Sequence, residues 1–461
     1  MTAASTLPAD LLAQELRGPR YTSYPTALSF GPQFSISDYV AAARSSVLGG
    51  APLSIYVHVP FCASNCYYCG CNRVVTRSSE RIERYVAALL AEIRMQSALF
   101  GQRQAVQQIH FGGGTPNLLG HAHFAQILRA IRSHFRVGGA AELEMSMEVD
   151  PRHAGADDIA AWRLLGFNRL SFGVQDVDLL VQRAINRIQS VSQIAALTTA
   201  AREAGYSSLN YDLVYGLPLQ TLSSFSRTLD FVIAQRPERI AAYHYAHLPA
   251  RFPAQRAIDD QQLPLTAQRQ QLRELIASRL QAAGYVAIGL DHYALPDDPL
   301  SVALRDGSLH RNFQGYSTQS NCDLIGIGVS AISKLDGCFA QNNSDLDRYL
   351  AAVEGGRLPL MRGYRPNDDD RLRADVIEAI MCTGKVDFQQ IEGRHGVELP
   401  ARFETEMQRL RQLDPQQDWM SYGDWGLKVE EQGRALLRVV AMVFDRHLRL
   451  AATPALHSPT L

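Results

Sequence analysis

The chain has 461 residues, 46% of them hydrophobic and 20% charged, with 45 basic against 46 acidic side chains. That length accommodates one α/β barrel with appendages, and it can bury enough core to fold without disulfides or partners. A formal net charge of −1 offers no global field for gripping nucleic acid, and no run approaches the roughly 18 apolar residues of a membrane span.

The opening MTAASTLPADLLAQELRG lacks the basic region and apolar stretch of a secretory signal, so a cytoplasmic protein is expected. Residues 1–50 carry no complete core pattern and are expected to wrap over the body of the protein. LSIYVHV, residues 53–59, alternates apolar side chains at period two and predicts a strand. After a loop bearing Gly and Cys, residues 80–100 place Ile82, Val86, Leu89, Leu90 and Ile93 on one helical stripe. A strand predicted over residues 106–111 runs into Gly112-Gly113-Gly114-Thr115-Pro116, followed by a helix near 121–134. Residues 142–150 alternate, with Leu143, Met145, Met147 and Val149 on one face and Glu142, Glu144, Ser146 and Glu148 on the other.

Further strands are predicted at 168–175, 209–215 and 239–245, with helices at 157–165, 191–204, 222–235 and 267–284. Six β-then-α units imply parallel strands joined by right-handed crossovers. Six is two short of a closed eight-stranded barrel, so the expected fold class is α/β, an open partial (β/α)6 barrel with a wide lateral mouth. After residue 360 the texture changes. RPNDDD starts a run in which helical patterns at 371–382, 401–413 and 432–448 surround a strand-like stretch at 425–430. This resembles a small helical, winged-helix-like domain. A lid or packing module is the better reading, since no basic recognition helix is evident. The expected divisions are an N-terminal wrapping segment at 1–50, the barrel with its extension at 51–360 and the helical domain at 361–461.

Seven cysteines are few and unevenly placed. Cys322, Cys338 and Cys382 are scattered and read as small buried apolar side chains. An odd total without an export signal favours reduced thiols over a disulfide framework. The other four, Cys62, Cys66, Cys69 and Cys71, crowd into FCASNCYYCGC, residues 61–71, which contains C-x3-C-x2-C. Three thiolates from one short loop suit three irons of a [4Fe–4S] cluster, leaving the fourth iron open to an exogenous molecule. Structural zinc takes paired ligands, and no second pair is present downstream. A zinc-binding regulatory protein is the alternative from a different class.

The C-x3-C-x-aromatic-C loop, with Tyr68 before Cys69, resembles the signature of radical S-adenosylmethionine (SAM) enzymes. Gly70-Cys71, the opening GPRYTSYPTA, and GGGTPN, EVDPR, GVQD, NYDLVYGLP, YAHLP and HRNFQGYST narrow the resemblance to the oxygen-independent coproporphyrinogen III oxidases. The likeness runs from about residue 18 to the last helix. It implies Cys62, Cys66 and Cys69 as ligands of a [4Fe–4S] cluster whose open iron is chelated by SAM.

Gly113 would face the methionine amino group, with the neighbouring glycines letting the backbone approach; a phosphate loop would need a Gly-Lys-Ser/Thr ending that is missing. Glu148 would accept bonds from the ribose hydroxyls, whereas Glu142 and Glu144 read as exposed strand glutamates. Tyr56 and Tyr68 would pack on the cluster or methionine portion, with core tyrosines as the plainer reading. The family also implies a second SAM position, lined by Gly114, Thr115, Gln175, Arg187, Asp212, Ala246 and Ile332. Whether cofactor or substrate fills it stays open, and Arg187 reads equally well as a surface helix arginine.

Cys71 cannot be a fourth ligand if the open iron is needed; its expected role is catalytic, as substrate-side proton donor or hydrogen-bond partner. Asn117 stands where relatives often carry a small hydroxyl residue, leaving that loop's geometry open. His244, His292 and His310 read as satisfied core or loop histidines. By resemblance, the activity is anaerobic oxidative decarboxylation of two propionates of coproporphyrinogen III to vinyl groups, giving protoporphyrinogen IX in haem biosynthesis. It implies an electron donor and an acceptor, neither identified, and a monomer without nucleic acid or membrane partner. Arginines should meet the substrate's four carboxylates, with Arg20 a candidate. The nearer alternative is a related haem-handling protein without this decarboxylation. Cys71 and GPRYTSYPT tell against it, because the oxidase-like haem chaperones lack both.

Overall fold

Strands form where apolar residues recur at period two, and the helices between them bury one stripe each. The computed structural model describes residues 18–139, 143–313, 315–319 and 321–450, with side chains to 448. The expectations for residues 1–17 and for Glu142 lie outside the described residues. Two units result: Phe30–Tyr285 with Asn321–Arg365, and the described parts of Met1–Ser29, Val286–Ser320 and Pro366–Leu461.

In the first unit, α1 (Ile36–Gly49) starts at a capping box between Ser35 and Asp38 and stops at Gly50, whose φ of 70° suits the left-handed end of a helix. Six strands come next: β1 (Leu53–Val59), β2 (Ala105–Gly113), β3 (Glu144–Val149), β4 (Arg169–Gln175), β5 (Ser208–Tyr215) and β6 (Arg239–His244). Each is parallel to its neighbour, in the order β6-β5-β4-β3-β2-β1. The connections carry α2 (Ser79–Phe100), α3 (His121–His134), α4 (Ala156–Leu165), α5 (Val191–Glu203) and α6 (Leu222–Gln235), and α7 (Thr266–Ala282) comes after β6.

The six βα units expected from the sequence are all present, and the sheet does not close. Beyond β1 it continues through β7 (Asp323–Ile327), parallel to β1, and then antiparallel β8 (Ile332–Leu335), β9 (Cys338–Asn342) and β10 (Leu360–Tyr364). Among the described residues, no helix is long and apolar enough to cross a membrane.

The second unit has its own core, in which Val376, Ile380, Phe403, Leu410, Leu427 and Phe444 are fully buried. Helix Asp368–Thr383, capped by Asn367, packs against Leu437–Phe444. The strand-like WGLKVE becomes Gly426–Val429, the middle of a three-stranded antiparallel sheet between Lys385–Asp387 and Met420–Gly423. Residues 18–21 tie into this unit. Arg438 donates to the carbonyls of Gly18 and Pro19, and Tyr21 donates to Asp445 at 2.9 Å.

One buried carboxylate fastens α2 to the chain beyond β7. Glu92 accepts from the Gly328 amide at 2.8 Å, the Asn342 amide at 2.7 Å and the Tyr349 hydroxyl at 2.6 Å. Tyr85, two helical turns before it, donates to His58 O at 2.7 Å and accepts from the Val329 amide at 3.0 Å. Replacing Glu92 by Leu would strand three buried donors. Urea denaturation of Glu92→Leu should show a loss of about 3 kcal/mol or more.

Candidate functional site

The alternation of β3 sorts its residues onto two faces. Met145, Met147 and Val149 are buried on the apolar side, and Glu144, Ser146 and Glu148 project from the other. That second face is polar across four strands, and its groups bond sideways. Ser54 donates to Gln108, Gln108 to Glu144, and Arg169 to Glu144, each at 2.7–2.8 Å. One step toward the C-terminal ends, His110 Nδ1 lies 2.7 Å from Ser146 Oγ, and a step further Ser171 donates to Asp212 at 2.7 Å. Asn210 bonds both Ser171 and Asp212.

The glycine run after β2 lies at the C-terminal rim, where sites collect in such folds. Gly113 has φ 118°, and a Cβ there would lie 2.6 Å from the His58 ring. A Cβ on Gly114 would stand 2.7 Å from Pro60 O. Only glycine permits this approach. The Gly113 amide donates to Glu148 at 3.0 Å, and His110 Nε2 lies 3.7 Å from the same carboxylate. Burial would raise the Glu148 pKa, but His110 and the Gly113 amide outweigh it and hold the group below its usual value. The Tyr56 ring stacks on His110 at 5.8 Å.

The cysteine loop is pinned by its own backbone. Phe61–Cys62 pairs in parallel with Val74–Val75, and the Tyr67 amide bonds Ile185 O at 3.0 Å. All seven cysteines are free; Cys62 and Cys66 are buried, Cys69 is half-buried and Cys71 is exposed. Several donors point at the sulfurs. Thr115 Oγ1 lies 3.4 Å from Cys62 Sγ, and the Cys71 amide 3.4 Å from Cys69 Sγ. Arg152 and Arg187 each place an Nη 3.6 Å from Cys66 Sγ.

Burial pushes the Cys62 thiol up to about 11. The Cys71 thiol, donating to Cys69, holds Cys69 down to about 6 and is itself raised by the same bond. Among the described residues, no three His, Cys, Asp or Glu side chains converge as a single metal ion would need.

Asp150 organises this cationic group. It accepts from Arg152 at 2.7 Å and from Arg187 at 3.0 Å. Burial opposes its charge, but the two guanidiniums, Arg187 foremost, bring its carboxyl down to about 2. Asn117 joins the two rim loops: its amide donates to Asp150 O and His153 O, and its carbonyl accepts the Asp150 amide. The residue whose loop geometry was open is therefore the bridge between GGGTPN and EVDPR.

Arg187, open between surface and site, is buried at 7% exposure and also bonds Gly173 O at 2.8 Å. Its Nε is buried without a partner. Gln175 is buried at the end of β4 with φ 62°, and its amide lies beside Gly173 with the Arg187 head. Tyr68 packs against Val181, Ile185 and Tyr245. Ala246 is half-buried just after β6, its carbonyl bonded by Gln255. Ile332 opens β8 against Gly326, which pairs with Tyr56. Asp150 and Arg152 belong to the site although only their motif, and no role, was readable beforehand.

Comparisons with known proteins show the family. Residues 56–232 match the Radical SAM superfamily. The oxygen-independent coproporphyrinogen III oxidase of Pseudomonas aeruginosa is 42% identical over 449 residues, spanning 95% of this chain and 96% of that protein. The enzyme of the same name from Escherichia coli K12 is 43% identical over 435 residues, 94% of each. Among solved structures, coproporphyrinogen III oxidase (HemN) from Escherichia coli, described as a radical SAM enzyme, matches with a TM-score of 0.91 and 41% identity. That match covers 96% of this chain and 100% of the other.

Burial raises the Asp212 carboxyl to about 6, against 3.8 for an ordinary aspartate. Between those two values the folded chain keeps a proton that the unfolded chain has released, so stability falls as pH rises through that window. Asp212→Asn removes this slope. Urea midpoints measured from about pH 4 to about pH 7 should fall in the wild type relative to the variant.

Proposed function

The chain belongs to the oxygen-independent coproporphyrinogen III oxidases of the radical SAM superfamily, and on that premise we propose how its residues carry out the reaction. The activity is anaerobic oxidative decarboxylation of coproporphyrinogen III, with two propionates becoming the vinyl groups of protoporphyrinogen IX. The enzyme uses a [4Fe–4S] cluster and SAM. The observation that carries the residue assignment is the cysteine loop, set against cationic and amide donors at the rim beside the glycine run and Glu148.

Cys62, Cys66 and Cys69 would hold three irons. Their surroundings fit, because cluster thiolates accept hydrogen bonds from nearby N–H and O–H groups, and Thr115, Arg152, Arg187 and the Cys71 amide supply them. Thiolates that each serve a different iron need not converge on one point. Bound there and reduced, the cluster with SAM would supply one-electron radical chemistry, able to take a propionate hydrogen that no side-chain base could remove.

The chain's own residues bind, orient and exclude water. Glu148, kept ionised, would accept the ribose hydroxyls. Gly113 would leave room for the methionine amino group, with Tyr56 alongside. A second SAM position would use Gly114, Thr115, Gln175, Arg187, Asp212, Ala246 and Ile332, with Tyr68 behind. The unpartnered Nε of Arg187 supports an additional ligand there. Cys71, exposed beside the cysteine loop, would serve on the substrate side as proton donor or hydrogen-bond partner. Each propionate loses carbon dioxide, one hydrogen atom and one further electron, so an external acceptor is needed besides the donor that reduces the cluster. Free thiols throughout suit a cytoplasmic location.

Reconstituted protein incubated anaerobically with coproporphyrinogen III, SAM and a reductant should yield the decarboxylated product. An intact cluster with no product would instead make the chain a haem-handling relative. Cys71→Ser should keep its iron, sulfide and visible band while turnover falls about 10²-fold or more, the scale of a lost proton donor. Full turnover in that variant would remove the role.

A further inference from the structure

The cofactor site does not account for HRNFQGYST, the segment that begins at His310. Two short strands within it, His310–Asn312 and Gly315–Ser317, pair antiparallel and set Arg311 opposite Tyr316. The Arg311 guanidinium lies over the Tyr316 ring, 4.5 Å from its centroid. Arg311 is only 6% exposed, yet its Nε and Nη1 are buried with no hydrogen-bond partner. A guanidinium is always charged and carries five donors, so leaving two of them dry and empty is costly.

The carboxylates of this unit do not relieve it. Glu378 is engaged by His310, and the Arg311 backbone amide lies 3.5 Å from it. Asp291 is paired with Arg20. The Tyr316 ring holds the guanidinium in place, and the free Nε and Nη1 are the donors a carboxylate would meet.

We propose that Arg311 is a carboxylate-binding site whose ligand is a propionate of the tetrapyrrole substrate. The requirement for an anion stands on the buried, partnerless Nε and Nη1 of Arg311; its identity as a propionate rests on the function proposed above. Coproporphyrinogen III brings four carboxylates, and the two that are not lost as carbon dioxide are free to serve as handles. The ligand-free protein then carries an uncompensated buried charge that substrate neutralises. Removing the charge should therefore stabilise the empty enzyme while weakening its ligand.

The test uses the reconstituted holoenzyme under anaerobic conditions, with thermal melting and fluorescence titration. The probes are coproporphyrin III as a stable tetracarboxylate, its tetramethyl ester, and sodium acetate. Arg311→Met should melt at a higher temperature than wild type without ligand. Coproporphyrin III should raise the wild-type melting temperature, the ester should not, and Arg311→Met should weaken coproporphyrin III binding at least about tenfold. Protection by acetate alone, with no dependence of coproporphyrin III binding on Arg311, overturns the tetrapyrrole identity. Lower melting temperatures in both Arg311→Met and Arg311→Gln, with coproporphyrin III affinity unchanged, overturn the site itself. Turnover separates this inference from the activity. Binding through Arg311 without decarboxylated product keeps the site and removes the function, whereas normal turnover and KM in Arg311→Met does the reverse.

Discussion

Every buried donor or acceptor must find a partner, and a missing one costs roughly 1–3 kcal/mol. Six neighbouring parallel strands with a polar face concentrate that demand. The strands meet it sideways, through Ser54, Gln108, Glu144 and Arg169 in one layer and through Ser171, Asn210 and Asp212 in the next. These bonds fix rotamers from the floor of the face up to the level of Glu148, with which Ser171 is paired. At the rim the ladder ends on groups with spare capacity: Glu148, the glycine amides and the head of Arg187. A rigid satisfied base under an incompletely satisfied top is how a scaffold prepares a site before any ligand arrives.

Charge at that top is arranged around Asp150. A lone aspartate at this depth would shed its charge, and two lone arginines would repel each other. Together they hold a net positive patch against the Cys66 sulfur. Sulfur that is to carry negative charge benefits from such neighbours, and Cys66 receives them from two loops, those after β3 and after β4. Asn117 then fixes the separation of two rim loops by bonding the Asp150 backbone on both sides.

Much of this was legible in the sequence, for identifiable reasons. The parallel strands declared themselves because each is long enough to alternate, as Met145, Met147 and Val149 do, and because a helical stripe comes after each one. The antiparallel β8 and β9 and the flanking strands Lys385–Asp387 and Met420–Gly423 span three to five residues, too few for a period to register. Helix α1 hid because its buried face is made of Tyr39, Ala42, Ala43 and Ser46 rather than large aliphatic residues. The cysteine spacing is local and could be read directly. Arg187 could not, since its burial depends on an aspartate 37 positions away. Arg152 reaches a sulfur 86 positions away, which no local pattern encodes.

The strict alternation of β3 has an evolutionary corollary. Glu148 reaches the rim only because it is an even number of steps from Glu144 and Ser146. One codon inserted or deleted within the strand would rotate every later side chain through half a turn, putting methionine where a carboxylate stood and driving Glu148 into oil. Lineages can drift by substitution there, or change length in the bordering loops, but the spacing inside those six residues is closed to indels.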